Sequence, residues 1–321
     1  MRLFTLSERS ESKGLLCLLL AVVFALLCTA TPAAAQSPRI VVVLKAGTSK
    51  GPLAPYEKAA KAFKTALQPD AEVLIEPGSL TSAITSVQAE NPDLIVAFGT
   101  EAAQFAEKNF PAVPRVVALA PGAESISTNA AYTLITPEIS PDLQVKWIDD
   151  TLPDVKAVGV IYDPRSSQRR VDELVAAAKA RASGASIEIV PIAVSAESEV
   201  PAAFTAFKKN RKSTETALLF IPDRTVNTGG TLAYLFKESL AAAIPVIGFN
   251  SWFADNGAVL SFGVDYSAVG LQAAAAARAL PASGPGWVEG PKRVTVWVNQ
   301  RVADKIRVRT DYDPDKVQEI H

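Results

Sequence analysis

The sequence has almost no histidine: one in 321 residues, and it is His321, the last. Ser-His-Asp triads, Cys-His dyads and His-based zinc sites all need an imidazole inside the fold, so the sequence offers no route to them. Cysteine is nearly as scarce. The two present, Cys17 and Cys28, both lie close to the N-terminus, which leaves the remainder without a disulfide or a thiol nucleophile. An excess of one charge is lacking too. Lys+Arg number 32 and Asp+Glu 33, for a formal net charge of -1, without the basic excess of a nucleic-acid binder. Apolar residues, in contrast, are plentiful. At 49% hydrophobic and 20% charged, the chain is neither disordered nor fibrous. Its length suits two domains of roughly 100–150 residues.

The N-terminus reads as an export signal. Arg2, Arg9 and Lys13 precede an apolar run over residues 15–28, and Ala33-Ala34-Ala35 follows. A positive flank, an apolar stretch and an A-x-A site make up a secretory signal. The run is shorter than the ~20 residues of a membrane span. Leu27 before Cys28, where a lipoprotein needs a small residue, argues against lipidation. Residues 1–35 are therefore expected to be removed near Ala35, giving a periplasmic, thiol-free chain that starts at Gln36.

From residue 40 the pattern alternates. Continuous apolar runs at 40–44 (IVVVL), 93–98 (DLIVAF), 115–119 (RVVAL), 157–162 (AVGVIY), 217–221 (ALLFI) and 245–249 (PVIGF) suit strands covered on both faces. Weaker strands fall at 73–75, 187–192, 259–264 and 294–298. Between them lie helical stripes such as Tyr56, Ala60, Phe63 and Leu67, or Val171, Leu174, Val175 and Ala178, at the spacing of one helix face. Helices are also expected at 79–89, 101–108, 141–151, around Val200, Phe204 and Phe207, at 231–243, and over an Ala-rich stretch at 267–280. Residues 281–291 read as a loop, and the polar tail from Thr310 as frayed.

Strands alternating with helices predict an α/β fold with parallel sheets and right-handed crossovers. Two such units predict two Rossmann-like lobes: 36–137 with a return segment 265–309, and 138–264, leaving 310–321 as a tail. In open α/β sheets the ligand sits beyond the carboxyl ends of the strands, which selects the candidate residues.

Gly99 and Thr100 end one strand and open a helix, where N–H groups and a hydroxyl can bind an anion; an ordinary helix cap is the plainer account. Asp223, Arg224 and Thr225 follow a strand of the second unit. There a carboxylate could hold an ammonium and a guanidinium could hold an acid. Asp163 with Ser166 and Ser167, Asn250 with Trp252, and Asp265 occupy similar strand ends, each with capping or packing as its plainer role. Thr48 and Ser49 lie in a loop after the first strand that lacks the GxxxxGK[ST] spacing of a P-loop. Asp149 and Asp150 are adjacent on a helix and point apart, which suits a solvated face. No residue stands out as catalytic or metal-ligating.

Several segments resemble a known family: residues 91–103 (NPDLIVAFGTEAA), 152–164 (LPDVKAVGVIYDP), 221–226 (IPDRTV), 244–249 (IPVIGF), 264–270 (VDYSAVG) and 298–303 (VNQRVA). In order and spacing these are similar to the extracytoplasmic substrate-binding proteins of ABC transporters with the type I periplasmic-binding fold, and within them to the branch that includes aromatic-amino-acid binders. The resemblance runs from about residue 40 to residue 306. It implies two lobes joined by a hinge and a monomeric, non-enzymatic trap without a cofactor. Such a trap delivers a small polar or amino-acid-like solute to a membrane permease. Residues 45–52 (KAGTSKGP) and 121–136 (PGAESISTNAAYTLIT) depart from the family's pattern. A sensory protein that presents its ligand state to a membrane receptor would use the same trap. An exported carboxylate-based glycosidase would need two facing carboxylates, and no motif marks such a pair.

Overall fold

The computed structural model describes residues 37–45, 55–76, 78–123, 132–181, 187–209, 211–280 and 286–320. The described residues from Ile40 onward cohere as one compact unit. The loop containing Thr48 and Ser49 lies outside the described residues, as does the whole of the expected signal, residues 1–35.

The unit opens with β1 (Ile40–Lys45), α1 (Pro55–Ala66), β2 (Ala71–Ile75), α2 (Leu80–Glu90), β3 (Leu94–Phe98), α3 (Thr100–Asn109), β4 (Arg115–Ala118) and β5 (Tyr132–Ile135). It continues with α4 (Pro141–Thr151), β6 (Ala157–Tyr162), α5 (Pro164–Ala180), β7 (Glu188–Ala193), α6 (Val200–Lys208), β8 (Thr216–Leu219), α7 (Gly229–Ala241), β9 (Val246–Gly248), α8 (Ser251–Asp255) and β10 (Leu260–Val264). It ends with α9 (Tyr266–Ala279), β11 (Val288–Glu289), β12 (Val294–Asn299), α10 (Gln300–Ile306) and β13 (Gln318–Ile320).

These strands form two sheets. One has the order β11-β5-β4-β3-β1-β2 and is parallel throughout. The other has the order β13-β12-β10-β9-β8-β6-β7, parallel except where β12 runs against β10.

The apolar runs take this arrangement because both of their faces are covered. In β1 and β3, Val42, Leu44, Val96 and Phe98 face one core shared with Ala59, Phe63, Val269 and Ala273. Their neighbours Val41, Val43, Ile95 and Ala97 face a second core with Ala102 and Phe105. All six residues of β6 are buried in the same way. Small residues let α1 and α9 approach closely: a Cβ on Gly270 would overlap the backbone carbonyl of Ala59.

Two boundaries differ from the sequence reading. The return segment 265–309 divides. Its helix α9 packs on the first sheet, whereas β12 joins the second, pairing Phe262 with Val296 and Leu260 with Val298. Val296 and Val298 thereby enter the second core, a stronger driving force than pairing beside the two-residue β11 would provide. The tail is not frayed either. Residues Gln318–Ile320 form β13, in parallel pairing along β12. Within the stretch that departs from the family's pattern, β5 is a fully buried strand that the sequence reading missed.

The chain passes between the sheets through residues 136–140, at Asp265, and through residues 290–293. Two of these passages run side by side: the Thr136 N–H donates to the carbonyl of Glu289, the residue before the last passage, at 2.9 Å, and a Cβ on Gly290 would come within 2.6 Å of the Glu138 carbonyl.

Candidate functional site

Asp163 and Asp223 follow β6 and β8 and are both buried. Pro164 at the first position of α5 and Asp163 as its cap, accepting from the Arg165 N–H at 3.0 Å, fix where the helix begins. Asp223 is 4% exposed and turned into the protein. One of its oxygens accepts the N–H groups of Thr225 (2.9 Å) and Val226 (3.1 Å). The other accepts the Asp163 N–H (2.9 Å) and the hydroxyls of Ser167 (2.6 Å) and Ser166 (3.3 Å). A carboxylate has about four lone-pair sites, so protein donors fill this one.

Asp163 is equally engaged. Arg165 donates to it through Nη2 at 2.5 Å and Nε at 2.9 Å, and the Thr225 hydroxyl donates at 2.8 Å. These bonds, Arg165 first and Thr225 next, hold the Asp163 carboxyl far below the usual carboxylate range. Asp163, Asp223 and Thr225 thus form one network, while Arg224 is exposed outside it.

On the first sheet, Gly99 caps α3 with φ of 89°, a conformation that favours glycine. A Cβ at this position would come within 3.3 Å of the Tyr56 ring, which is 38% exposed. Gly99 rather than Thr100 is the cap, with no side-chain bond to the helix. Leu119, at the carboxyl end of β4, is buried with φ of 61°. A left-handed conformation costs a non-glycine residue about 1–2 kcal/mol, and such strain clusters at functional sites. Asn250 and Asp265 cap α8 and α9, accepting from the N–H groups of Phe253 (3.4 Å) and Ala268 (2.9 Å).

Two cavities meet at Phe249, Val264 and Tyr266. One, of about 370 Å³, is lined also by Asn250, Asp265 and Trp297. The other, of about 430 Å³, lies between the sheets' carboxyl ends, with Pro121 and Tyr266 on one side and Ser166, Ser167, Pro222 and Phe249 on the other. Its floor is the passage 137–139 together with Arg169 and Arg170 of α5.

Sequence reasoning did not single out these arginines or Glu138. Arg170 is 16% exposed; its Nη2 donates to the Ile139 carbonyl (2.6 Å) and to Gln144 Oε1 (3.1 Å). Burial lowers its pKa, and Glu138, at 3.7 Å, works against that shift. A signal was available. Arg170 stands three residues after Ser167 and four before Leu174, both buried, so it lies on the inward stripe of its helix. Tyr266 is also perturbed: burial raises its pKa, with a further contribution from Tyr56. Among the described residues no group of three His, Cys, Asp or Glu side chains could hold a metal ion.

The family described as ABC transporter substrate binding protein matches residues 62–312. A ligand-free, open substrate binding protein with adhesive properties from Clostridium difficile aligns with a TM-score of 0.65. That alignment has 17% identity and covers 88% of this chain and 99% of the other. A sugar-binding protein of a sugar ABC transporter from Bacillus halodurans aligns with a TM-score of 0.53 and 14% identity, over 84% of this chain and 99% of its own. An ABC domain from Streptococcus pneumonia, in complex with L-Trp, gives a TM-score of 0.50 and 16% identity, covering 88% and 100%. No curated protein matches the chain. At these identities the structural likeness establishes the fold: two α/β lobes of the type I periplasmic-binding kind.

Proposed function

The chain belongs to the family of ABC transporter substrate binding proteins, and from that premise we propose that it is the extracytoplasmic solute trap of an importer. It binds one small solute between its lobes, closes on it and hands it to a membrane permease, without chemical change. The observation that carries this reading is the cavity of about 430 Å³ between the carboxyl ends of the two sheets, the usual ligand position in open α/β folds and of ligand-sized volume. The passages at 136–140, 265 and 290–293 act as the hinge.

In this reading Asp163, Asp223 and Thr225 position the second lobe's loops, since their polar atoms are committed to one another. Thr100 contributes its hydroxyl, and the Gly99 turn places the Tyr56 ring. Tyr266 and Phe249 supply apolar walls. An amino-acid-like solute is consistent with the L-Trp bound by the pneumococcal relative.

The test is release and closure. Acid-denatured protein should release a single class of small molecule for mass spectrometry. Added back at saturation, that molecule should raise the melting temperature by mass action and reduce the radius of gyration through domain closure. A bound solute that leaves the scattering profile unchanged would remove the trap.

A further inference from the structure

We propose that the solute of this cleft is an organic anion, held by its acidic group at Arg170, and that binding requires no ammonium group. The inference rests on the reading of the cleft as the solute site and narrows the solute class.

A ligand ammonium needs a carboxylate with lone pairs to spare. Asp223 already accepts from five protein donors, and Asp163 from Arg165 and Thr225. Asp265 faces the neighbouring cavity and caps a helix. Among the described residues lining the cleft cavity, the one remaining carboxylate is Glu138. Its lone pairs are free, but it stands 3.6 Å from Arg169 and 3.7 Å from Arg170, two cations that repel an incoming ammonium.

Arg170 spends only Nη2 on its hydrogen bonds to Ile139 and Gln144. Its Nε is buried without a partner, and its Nη1 stands 3.7 Å from Glu138, beyond hydrogen-bond reach. A guanidinium that is mostly buried and incompletely bonded is costly. A carboxylate arriving at Nη1 would make the charge-assisted bond that Glu138 does not. The bonds through Nη2 hold the guanidinium in place beforehand, which favours binding over an unanchored arginine. Phe249, Tyr266 and Pro222 form walls for an apolar body, and excluding water there strengthens the ion pair.

Glu138 then has a defined part. Its side chain is 48% exposed and can turn to solvent, so it acts as a resident counter-ion that the solute's acid displaces. It sits on the passage 136–140, so exchange takes place at the hinge.

The test uses the full chain and 3-phenylpropanoate as the probe, compared with 3-phenylpropanamide and 2-phenylethylamine by calorimetric titration. The acid should bind at least roughly tenfold more tightly than either analogue, the scale of one charge-assisted bond. Glu138→Gln, which leaves the Arg170 contacts to Ile139 and Gln144 intact, should tighten acid binding several-fold. Arg170→Gln should abolish it, and the Glu138 variant keeps the test decisive if the Arg170 variant folds poorly. Equal or tighter binding of the amide or the amine, no binding of the acid, or an unchanged affinity in Glu138→Gln overturns the proposal. A neutral or cationic solute that still closes the lobes in scattering would sink the anion and leave the trap standing. Bound solute without closure would sink the trap itself.

Discussion

The Asp223 carboxylate accepts the Ser167 hydroxyl at 2.6 Å, joining residues 56 positions apart in the chain. With the Asp163 N–H at 2.9 Å on the same oxygen, it ties the loop after β8 to the start of α5. Asp223→Asn replaces one acceptor oxygen by an amide that faces donors. Buried donors left unmet cost about 1–3 kcal/mol, so the variant should lose about 2–3 kcal/mol of stability in urea denaturation at neutral pH. Ser167→Ala, which removes one hydroxyl donor, should lose about 1 kcal/mol. An Asp223→Asn variant of unchanged stability and weakened solute binding would instead make Asp223 a solute contact.

Close approach of α1 and α9 leads to a second prediction. A methyl group on Gly270 has no room against the Ala59 backbone, and backbone cannot rotate away as a side-chain tip can. Gly270→Ala raises helix propensity by about 1 kcal/mol but forces the helices apart, and overpacking costs about 1–3 kcal/mol or more. The net effect should be a lower urea midpoint. A rise in midpoint would show that the helices have slack at this crossing.

The elements read most easily from sequence were those whose burial is uniform. In β3 and β6 every residue is inside, and the apolar runs declare it. β5 is also fully buried, yet its four residues follow a polar stretch and include Tyr132 and Thr133, so no run announces it. The sheet assignment of β12 rests on pairing with β10, a long-range relation that hydrophobic pattern does not encode. Strand ends place Asp163, Asp223 and Thr225 just beyond β6 and β8, but do not show the partners that occupy them. Thr225 donating to Asp163 across 62 positions has no local signature. Arg170 was missed for the opposite reason: its position on the buried stripe of α5 was legible, but charged residues on an amphipathic helix are ordinarily solvated.

Export is testable without knowledge of the solute. Arg2, Arg9 and Lys13, the apolar stretch 15–28 and Ala33-Ala34-Ala35 should direct secretion and cleavage. N-terminal sequencing of the exported chain should begin at Gln36, and thiol titration of that product should find no cysteine. An exported chain that retains Met1 would refute cleavage.

Acid should act on the Asp163–Arg165 pair. The Arg165 guanidinium and the Thr225 hydroxyl hold the folded-state carboxyl of Asp163 below its ordinary value of 3.8. A depressed carboxylate contributes stability that is complete above the unfolded-state pKa and is lost as pH falls through the folded-state one. Going from neutral pH downward, the contribution should therefore hold to about pH 5, begin to fall near 3.8 and continue to fall below it. Arg165 is largely exposed, so solvent screening makes this contribution modest, and salt should shrink it further. Asp163→Asn retains a side-chain oxygen to cap α5 but cannot titrate. Its stability, measured by urea denaturation between pH 3 and 7, should be lower than wild type at neutral pH and should converge on it as the medium becomes acidic. Parallel pH profiles for the two proteins would mean that Asp163 titrates alike in the folded and unfolded chains, and that the Arg165 contact contributes nothing to folding.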